Sequence, residues 1–318
     1  MSALALWTIG PGQAELRPAE PGPPGAGQAQ ARALVSGISR GTESLVFHGR
    51  VPATERERMR CPFQQGQFPY PVKYGYAMVA RVEAGPESLI GRRVFGLYPH
   101  QSLFNVPAES LVPVPRTVTT ERAALAPQME TALNATWDAG LKPGERVAVI
   151  GGGVIGLLTA YVASQTAEVT LVDVNPARRA LAEGLGLSFA LPDAAPSDCR
   201  TVFHASGSAE GLNRALTSCA FEGQVIELSW FGDTPVSVDL GGAFHSRRLT
   251  IRASQVGTVA PSRRKTWSYR RRLTRALSLC RDPRLDALVG RETAFAEMPA
   301  RMSAILSDPD TLCHLIRY

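Results

Sequence analysis

The chain has 318 residues, 44% of them hydrophobic and 19% charged, a balance that suits a globular protein with more than one core and gives two domains as the prior. Apolar runs such as Val147–Ile150 stop far short of the roughly 20 residues a membrane span needs, so no membrane partner is expected. The net charge of +6 is modest and gathers in Arg263, Arg264, Lys265, Arg270, Arg271, Arg272 and Arg275. That stretch reads as a solvated face, as a contact for an anionic substrate or cofactor phosphate, or as a nucleic-acid surface; lacking any recognised nucleic-acid module around it, we expect no nucleic-acid partner. Met1 to Leu16 carry neither a basic n-region nor a long apolar core, which makes the cytoplasm the expected location. The five cysteines, Cys61, Cys199, Cys219, Cys280 and Cys313, lack the close spacing of a structural zinc lobe or an iron–sulfur site and read as reduced, separately packed thiols.

Residues 1 to about 120 are dense in Pro and Gly and carry short β-rich pieces, Gln30–Val35, Met78–Val82, Arg93–Leu97 and Leu111–Pro113, which predict a small irregular β domain. Pro18, Pro21, Pro23 and Pro24 with their intervening glycines form a turn-rich loop. From Thr120 to Leu141 the pattern becomes helical, with Gly140 as its stop. A β–α alternation follows: strand Arg146–Ile150, helix Val154–Gln165, strand Glu168–Val172, helix Pro176–Gly184, strand Thr201–His204, helix Ala209–Cys219, and strands Gln224–Ser229 and Leu249–Ala253. Short glycine turns between such elements predict a parallel, doubly wound sheet. The tail returns to a helix-plus-strand pattern, Trp267–Cys280 and then Pro299–Ser307, ending on Cys313–Tyr318.

The strand Arg146–Ile150 runs straight into Gly151-Gly152-Gly153-Val154-Ile155-Gly156, a GxGxxG match. Gly151 permits the tight turn, Gly153 lets backbone approach a pyrophosphate, and Gly156 lets the next helix pack close to the strand. The N–H groups at that helix start, Val154 and Ile155 included, then meet phosphate oxygens at the positive end of the helix dipole. Asp173 ends the second strand about 20 residues on, where a carboxylate accepts from ribose hydroxyls and repels a 2′-phosphate. Residues 146–173 therefore predict the first βαβ unit of a Rossmann domain that prefers NAD(H), with NADP(H) kept open by Arg178 and Arg179.

The layout resembles the medium-chain dehydrogenase/reductase superfamily over nearly the whole chain. The markers are Ser36-Gly-Ile-Ser-Arg-Gly-Thr-Glu43, Tyr74-Gly-Tyr-Ala77, Leu141-Lys-Pro-Gly-Glu-Arg146 and Ala205-Ser-Gly-Ser208. The Ile38-to-Glu43 segment and Pro99-His-Gln101 look most like a zinc-lacking branch that includes bacteriochlorophyllide a dehydrogenase. The resemblance implies a GroES-like β domain over 1–120, a Rossmann domain over 121–262 and a return to the first domain over 263–318: an α/β protein. At the superfamily's zinc-ligand positions stand Arg40 (Ser39 with a moved gap), Tyr76 with Ala77 beside it, and a residue near Pro127, so no catalytic zinc is expected.

With zinc gone, the protein itself must donate to or accept from the reacting oxygen. Thr42 matches the superfamily's proton-relay hydroxyl, Tyr76 offers a phenol, His100 is read as a loop histidine facing the cleft, and Arg40 is a candidate oxyanion or carboxylate clamp. On the cofactor side, Thr131 matches a nicotinamide-contacting position, and Ser206 and Gly207 border the adenosine half. The runs Ser229-Trp-Phe-Gly232 and Ser254-Gln-Val-Gly257, with Trp230 and Val256 at their centres, match loops that hold the carboxamide. His48, His204, His245 and His314 read as structural, and Glu130 has no assigned role. The expected activity is hydride transfer between NAD(H) and a secondary alcohol or ketone, a small substrate that Arg40 and the basic tail suggest is anionic, held between the domains. An NADPH-dependent quinone or enone reductase, and a dinucleotide sensor without chemistry, are the alternatives. The resemblance also allows a homodimer through edge strands of the Rossmann sheet.

Overall fold

The computed structural model describes residues 2–318; Met1, where the stretch read for an export signal begins, lies outside them. The chain divides into two compact units, one running to Pro127 and taken up again over Leu273–Tyr318, the other spanning Gln128–Arg272. In chain order the first unit contributes β1 (Leu4–Gly10), β2 (Gln13–Pro18), β3 (Gln28–Ser39), α1 (Arg40–Phe47), β4 (Gln65–Gly66), β5 (Val72–Lys73), β6 (Met78–Ala84), β7 (Arg93–Gly96), β8 (Leu103–Pro107), β9 (Val112–Pro113) and α2 (Thr120–Ala123). Then come α3 (Ala126–Ala139), β10 (Arg146–Ile150), α4 (Val154–Ala163), β11 (Glu168–Val172), α5 (Arg178–Gly184), β12 (Ser188–Ala190), β13 (Cys199–His204), α6 (Ala209–Ser218), β14 (Cys219–Glu227) and β15 (Thr250–Ala253). The chain closes with α7 (Tyr269–Leu279), β16 (Glu292–Ala294), α8 (Met298–Ser307) and β17 (Cys313–Arg317).

In the first unit, β3 is the central strand of a seven-stranded sheet, pairing with β6, β8 and β17. Its first half alternates as a half-covered strand should, with Ala29, Ala31 and Ala33 buried and Arg32 outside, ion-paired to Glu83 of β6. From Val35 to Ser39 every residue is buried. A Cβ at Gly37 would stand 2.9 Å from Cys313 Sγ and 3.1 Å from the Ala124 carbonyl, so neighbours crowd the strand there. Ser36 and Ser39 are thus polar groups inside a core, and each needs a partner.

The helical stretch expected over Thr120–Leu141 forms two helices. Thr119 caps α2 through the Arg122 N–H, and Pro127 then lies in the first turn of α3, where the missing donor costs no intrahelical bond. Gly140, at φ +64°, ends α3.

The second unit holds a six-stranded sheet in the order β12-β11-β10-β13-β14-β15, with every pair parallel. Its inner strands are buried on both faces and read as continuous apolar runs, Val147–Ile150 and Thr201–His204 among them. Every residue of α4 from Gly156 to Ala163 is buried, so this helix lies within the core. The strand order reverses between β10 and β13, which opens a crevice at their carboxyl ends. Among the described residues no helix is long and apolar enough to cross a membrane. All five cysteines are buried and free, and burial pushes the Cys61, Cys219, Cys280 and Cys313 thiols up to about 12.

Candidate functional site

The glycine loop lies at the reversal point. Gly151 has φ +109°, and a Cβ there would stand 2.6 Å from the Ser206 backbone nitrogen. At Gly156 a Cβ would come within 1.7 Å of the Gly151 carbonyl, so the helix can approach the turn only without a side chain. Gly153 has nothing within 4 Å of its Cβ position, and as N-cap of α4 it supplies no side-chain cap. The first turn of α4, with half-buried Val154 and Ile155, therefore presents its backbone to open space, as an anion cradle requires.

Asp173 closes the loop from the end of β11. Its Oδ2 accepts from the Gly152 N–H at 2.5 Å and its Oδ1 from the Asn175 N–H at 2.7 Å. Arg178 is buried and its stem lies beside Gly152, where a Cβ would meet Arg178 Cγ at 3.2 Å. Arg179 instead stacks over the Phe189 ring at 4.8 Å. Of the two arginines, only Arg178 is at the loop.

Thr131 on α3, Trp230 and Val256 are each half-buried in the same unit. The Val256 carbonyl accepts from the Arg272 guanidinium, which also bonds the Thr258 carbonyl, Asn134 Oδ1 at 2.6 Å and Glu130 Oε1 at 2.9 Å. Two expectations change here. Glu130, left without a role, is the ion partner of Arg272, and Arg272 at 2% exposure is no part of a solvated basic face. Arg263, Arg264, Lys265, Arg270 and Arg271 are exposed.

Where β13 ends, Ser206 is exposed and Gly207, at φ +68°, turns the chain, its N–H donating to Ser229 Oγ. His204 is wholly buried, but it is more than a packing residue. Its Nε2 lies 2.6 Å from Ser206 Oγ and its Nδ1 2.7 Å from Glu227 Oε2 on β14.

In the first unit the four catalytic candidates fall into two groups. Thr42 and Tyr76 belong together: both are half-buried, and burial holds the Tyr76 phenol above the ordinary tyrosine range against the opposing influence of the Ser39 and Thr42 side chains. Arg40 is half-buried at the start of α1. His100, expected on a cleft-facing loop, is 2% exposed. The backbone at 100 is pinned on both sides, its N–H donating to the Tyr74 carbonyl and its carbonyl accepting from the Leu6 N–H. Gly75, at φ +120°, makes the room: a Cβ there would stand 2.8 Å from the imidazole. The ring bonds Glu43 Oε2 through Nε2 at 3.0 Å and Ser36 Oγ through Nδ1 at 2.8 Å, and Ser36 Oγ meets Tyr318 Oη at 2.9 Å. Glu43 Oε1 accepts from the Ser39 N–H.

The tautomers follow from this network. A carboxylate only accepts, so Nε2 carries the proton, Nδ1 accepts from Ser36, and Ser36 accepts from Tyr318. The residues line up as Tyr318, Ser36, His100, Glu43, a largely buried series in which the sequence had marked only His100 as a candidate. Ser36 and Tyr318 stand 282 positions apart, and no local signal joins them. Among the described residues, no group of three or more His, Cys, Asp or Glu is placed to hold a metal ion.

Comparison with known proteins places this arrangement. No family model matches the chain. Over 113 residues it is 34% identical to the L-threonine 3-dehydrogenase of Mesorhizobium japonicum, a match covering 35% of this chain and 32% of the relative. The match thus spans about a third of that relative's length. Among solved structures, a putative zinc-binding dehydrogenase from Sinorhizobium meliloti 1021 bound to NADP aligns over 100% of both chains, with TM-score 0.78 and 20% identity. An alcohol dehydrogenase from Escherichia coli CFT073 complexed with NADH likewise covers 100% of both, with TM-score 0.77 and 17% identity. The chain has the two-part fold of these dehydrogenases, an antiparallel sheet unit and a parallel Rossmann sheet.

Proposed function

We propose that the protein is an oxidoreductase that moves hydride between a nicotinamide dinucleotide and a secondary alcohol or ketone. The observation that carries this is the loop from Gly151 to Gly156, in which Gly151 and Gly156 stand where side chains would strike backbone and the helix start has no side-chain cap. The dehydrogenases that share the fold, two of them solved with NADP or NADH, support it. The dinucleotide, when bound, supplies or accepts the hydride. Gly153 and the N–H groups of Val154 and Ile155 would hold its pyrophosphate, and the outward lone pairs of Asp173 its adenosine ribose hydroxyls. Asp173 favours NAD(H). Buried Arg178 beside the loop favours a second reading, an NADPH-dependent enone or quinone reductase.

The residues of the first unit do not fit the zinc that several similar proteins are named for. Arg40, Tyr76, Ala77 and Pro127 supply no thiolate, imidazole or carboxylate, while Glu43 and His100 already satisfy each other. We therefore derive no step through a metal. Tyr76, its phenol raised by burial, would donate to the substrate oxygen and stabilise negative charge there. Thr42 would pass the proton onward, and Arg40 would clamp an anionic group of the substrate. A homodimer pairing the exposed edge strand β15 with its copy belongs to the same reading.

The test is a fluorescence titration of chelator-treated protein with NADH and then NADPH, followed by a screen of secondary alcohols and ketones. Saturable NADH binding with weak NADPH binding supports the reading. NADPH preference moves it to the reductase, and binding of neither refutes it.

A further inference from the structure

Ser206, His204 and Glu227 are arranged as a nucleophile, a base and an orienting carboxylate. We infer from this that Ser206 is an acylatable serine and that the second unit carries an esterase activity on small activated carboxylic esters. The inference rests on four observations within that unit. First, Ser206 Oγ lies 2.6 Å from His204 Nε2, and His204 Nδ1 lies 2.7 Å from Glu227 Oε2. Glu227 can only accept, so Nδ1 carries the proton and Nε2 is the bare nitrogen to which the serine hydroxyl donates.

Second, Ser206 is an exposed residue at the strand end, with His204 buried directly behind it. Glu227 is itself held, its Oε1 accepting from the Ser229 N–H at 2.7 Å, and the Phe231 ring lies parallel to the imidazole. Third, the serine occupies the turn from a parallel strand, β13, into a helix, α6, a placement that lifts a hydroxyl above the sheet. At the start of α6 the Ser208 N–H donates to Ser206 Oγ at 3.2 Å, and the Ser208 hydroxyl lies 3.2 Å from the same oxygen.

Fourth, Gly211 lies in the first turn of α6, where a Cβ would stand 2.1 Å from Ser206 Oγ and 3.0 Å from His204 Nε2. Glycine within a helix is about 1 kcal/mol worse than alanine. Its presence here keeps the serine and the histidine in line. Nothing in a backbone cradle for phosphates needs a buried imidazole joined to a carboxylate behind it.

The chemistry balances. Ser206 Oγ attacks the ester carbonyl carbon while its proton passes to His204 Nε2. The bond to the leaving alcohol breaks and that alcohol takes the proton from His204, leaving an acyl-serine. Water, deprotonated by His204, then attacks the acyl carbon, and the carboxylic acid departs as Ser206 regains its proton. Ester and water become acid and alcohol.

The experiment treats the full chain with a fluorophosphonate and locates the adduct by peptide mass, then measures p-nitrophenolate release from p-nitrophenyl acetate. One phosphonyl group on Ser206 is expected. Ser206→Ala should give no adduct and background release, with a cooperative thermal transition showing that it is still folded. Glu227→Gln should slow labelling by about 10²-fold or more. Gly211→Ala should block labelling although it favours the helix. An unlabelled wild-type protein, an adduct elsewhere, or equal labelling of Ser206→Ala overturns the inference. NADH binding, followed separately, keeps the two readings apart. Binding without an adduct removes the esterase alone, and an adduct without binding removes the dinucleotide site alone.

Discussion

The two units carry their polar groups in opposite ways. In the second, the turn at Gly151–Gly153 has no side chains and the start of α4 no side-chain cap, so backbone hydrogen-bonding capacity is left at the helix start. In the first, Tyr318, Ser36, His100 and Glu43 satisfy one another inside the core. An unsatisfied group near the surface points to binding, whereas a satisfied one inside first serves the fold and then whatever that rigidity holds in place. Polar clusters alone therefore do not mark function; the direction of their spare valences does.

That contrast can be broken from the first unit most forcefully. His100→Ala would leave the Glu43 carboxylate buried without its ring partner, and losing a hydrogen bond to a charged group costs about 1.5–3 kcal/mol. Urea unfolding should show this loss; a change below about 1 kcal/mol, the range of exposed ion pairs, would mean that the cluster is not structural.

Next is the second unit. Gly156→Ala places a Cβ against the Gly151 carbonyl and shifts the cradle, for which a displacement of about 1 Å can cost about 10²-fold. The loss should appear in the NADH dissociation constant, and an unchanged value would refute the cradle. Asp173→Asn removes a charge that accepts from Gly152 and Asn175. A hydrogen bond to a charged group is worth about 1.5–3 kcal/mol, so NADH affinity should fall by about tenfold or more while NADPH falls less. An unaltered NADH-to-NADPH ratio would clear Asp173 of the selector role.

The smallest effect belongs to Lys73, a buried cation held by Gln101 Oε1 at 2.5 Å and lying 5.4 Å over the Tyr98 ring. Burial lowers its ammonium to about 8 from 10.5. Between those values the unfolded chain binds more protons, so this residue's contribution to stability rises as pH climbs from 8 toward 10.5. Denaturation midpoints across that window should rise less steeply in Lys73→Met, and an identical slope would refute the assignment.

Much of the second unit was legible in the sequence because its information is local. Strand, glycines, helix, strand and Asp173 lie within residues 146–173, and the boundaries Arg146–Ile150 and Glu168–Val172 agree with the fold to the residue. The first unit resisted for the converse reason. His100 looked like an outward loop residue until the backbone contacts of Leu6 and Tyr74 and the missing side chain at Gly75 showed why it turns inward. The single helix expected from Thr120 failed at Pro127, which begins a helix more readily than it continues one. His204 and Ser206 lie two apart at the end of a strand, a periodicity that puts them on one side; Glu227 comes from the neighbouring strand, beyond any local pattern.

The split of the first unit has a consequence for the order in which the molecule can be made. Its central strand β3 pairs along Val35–Ser39 with Cys313–Arg317, so that partner leaves the ribosome only after the whole second unit has been made. The second unit is one uninterrupted stretch and can fold during translation while β3 still lacks its partner along that edge. Until Cys313–Arg317 emerges, the nascent chain bears an open, apolar strand edge, the kind of surface that chaperones cover and that pairs wrongly when they do not.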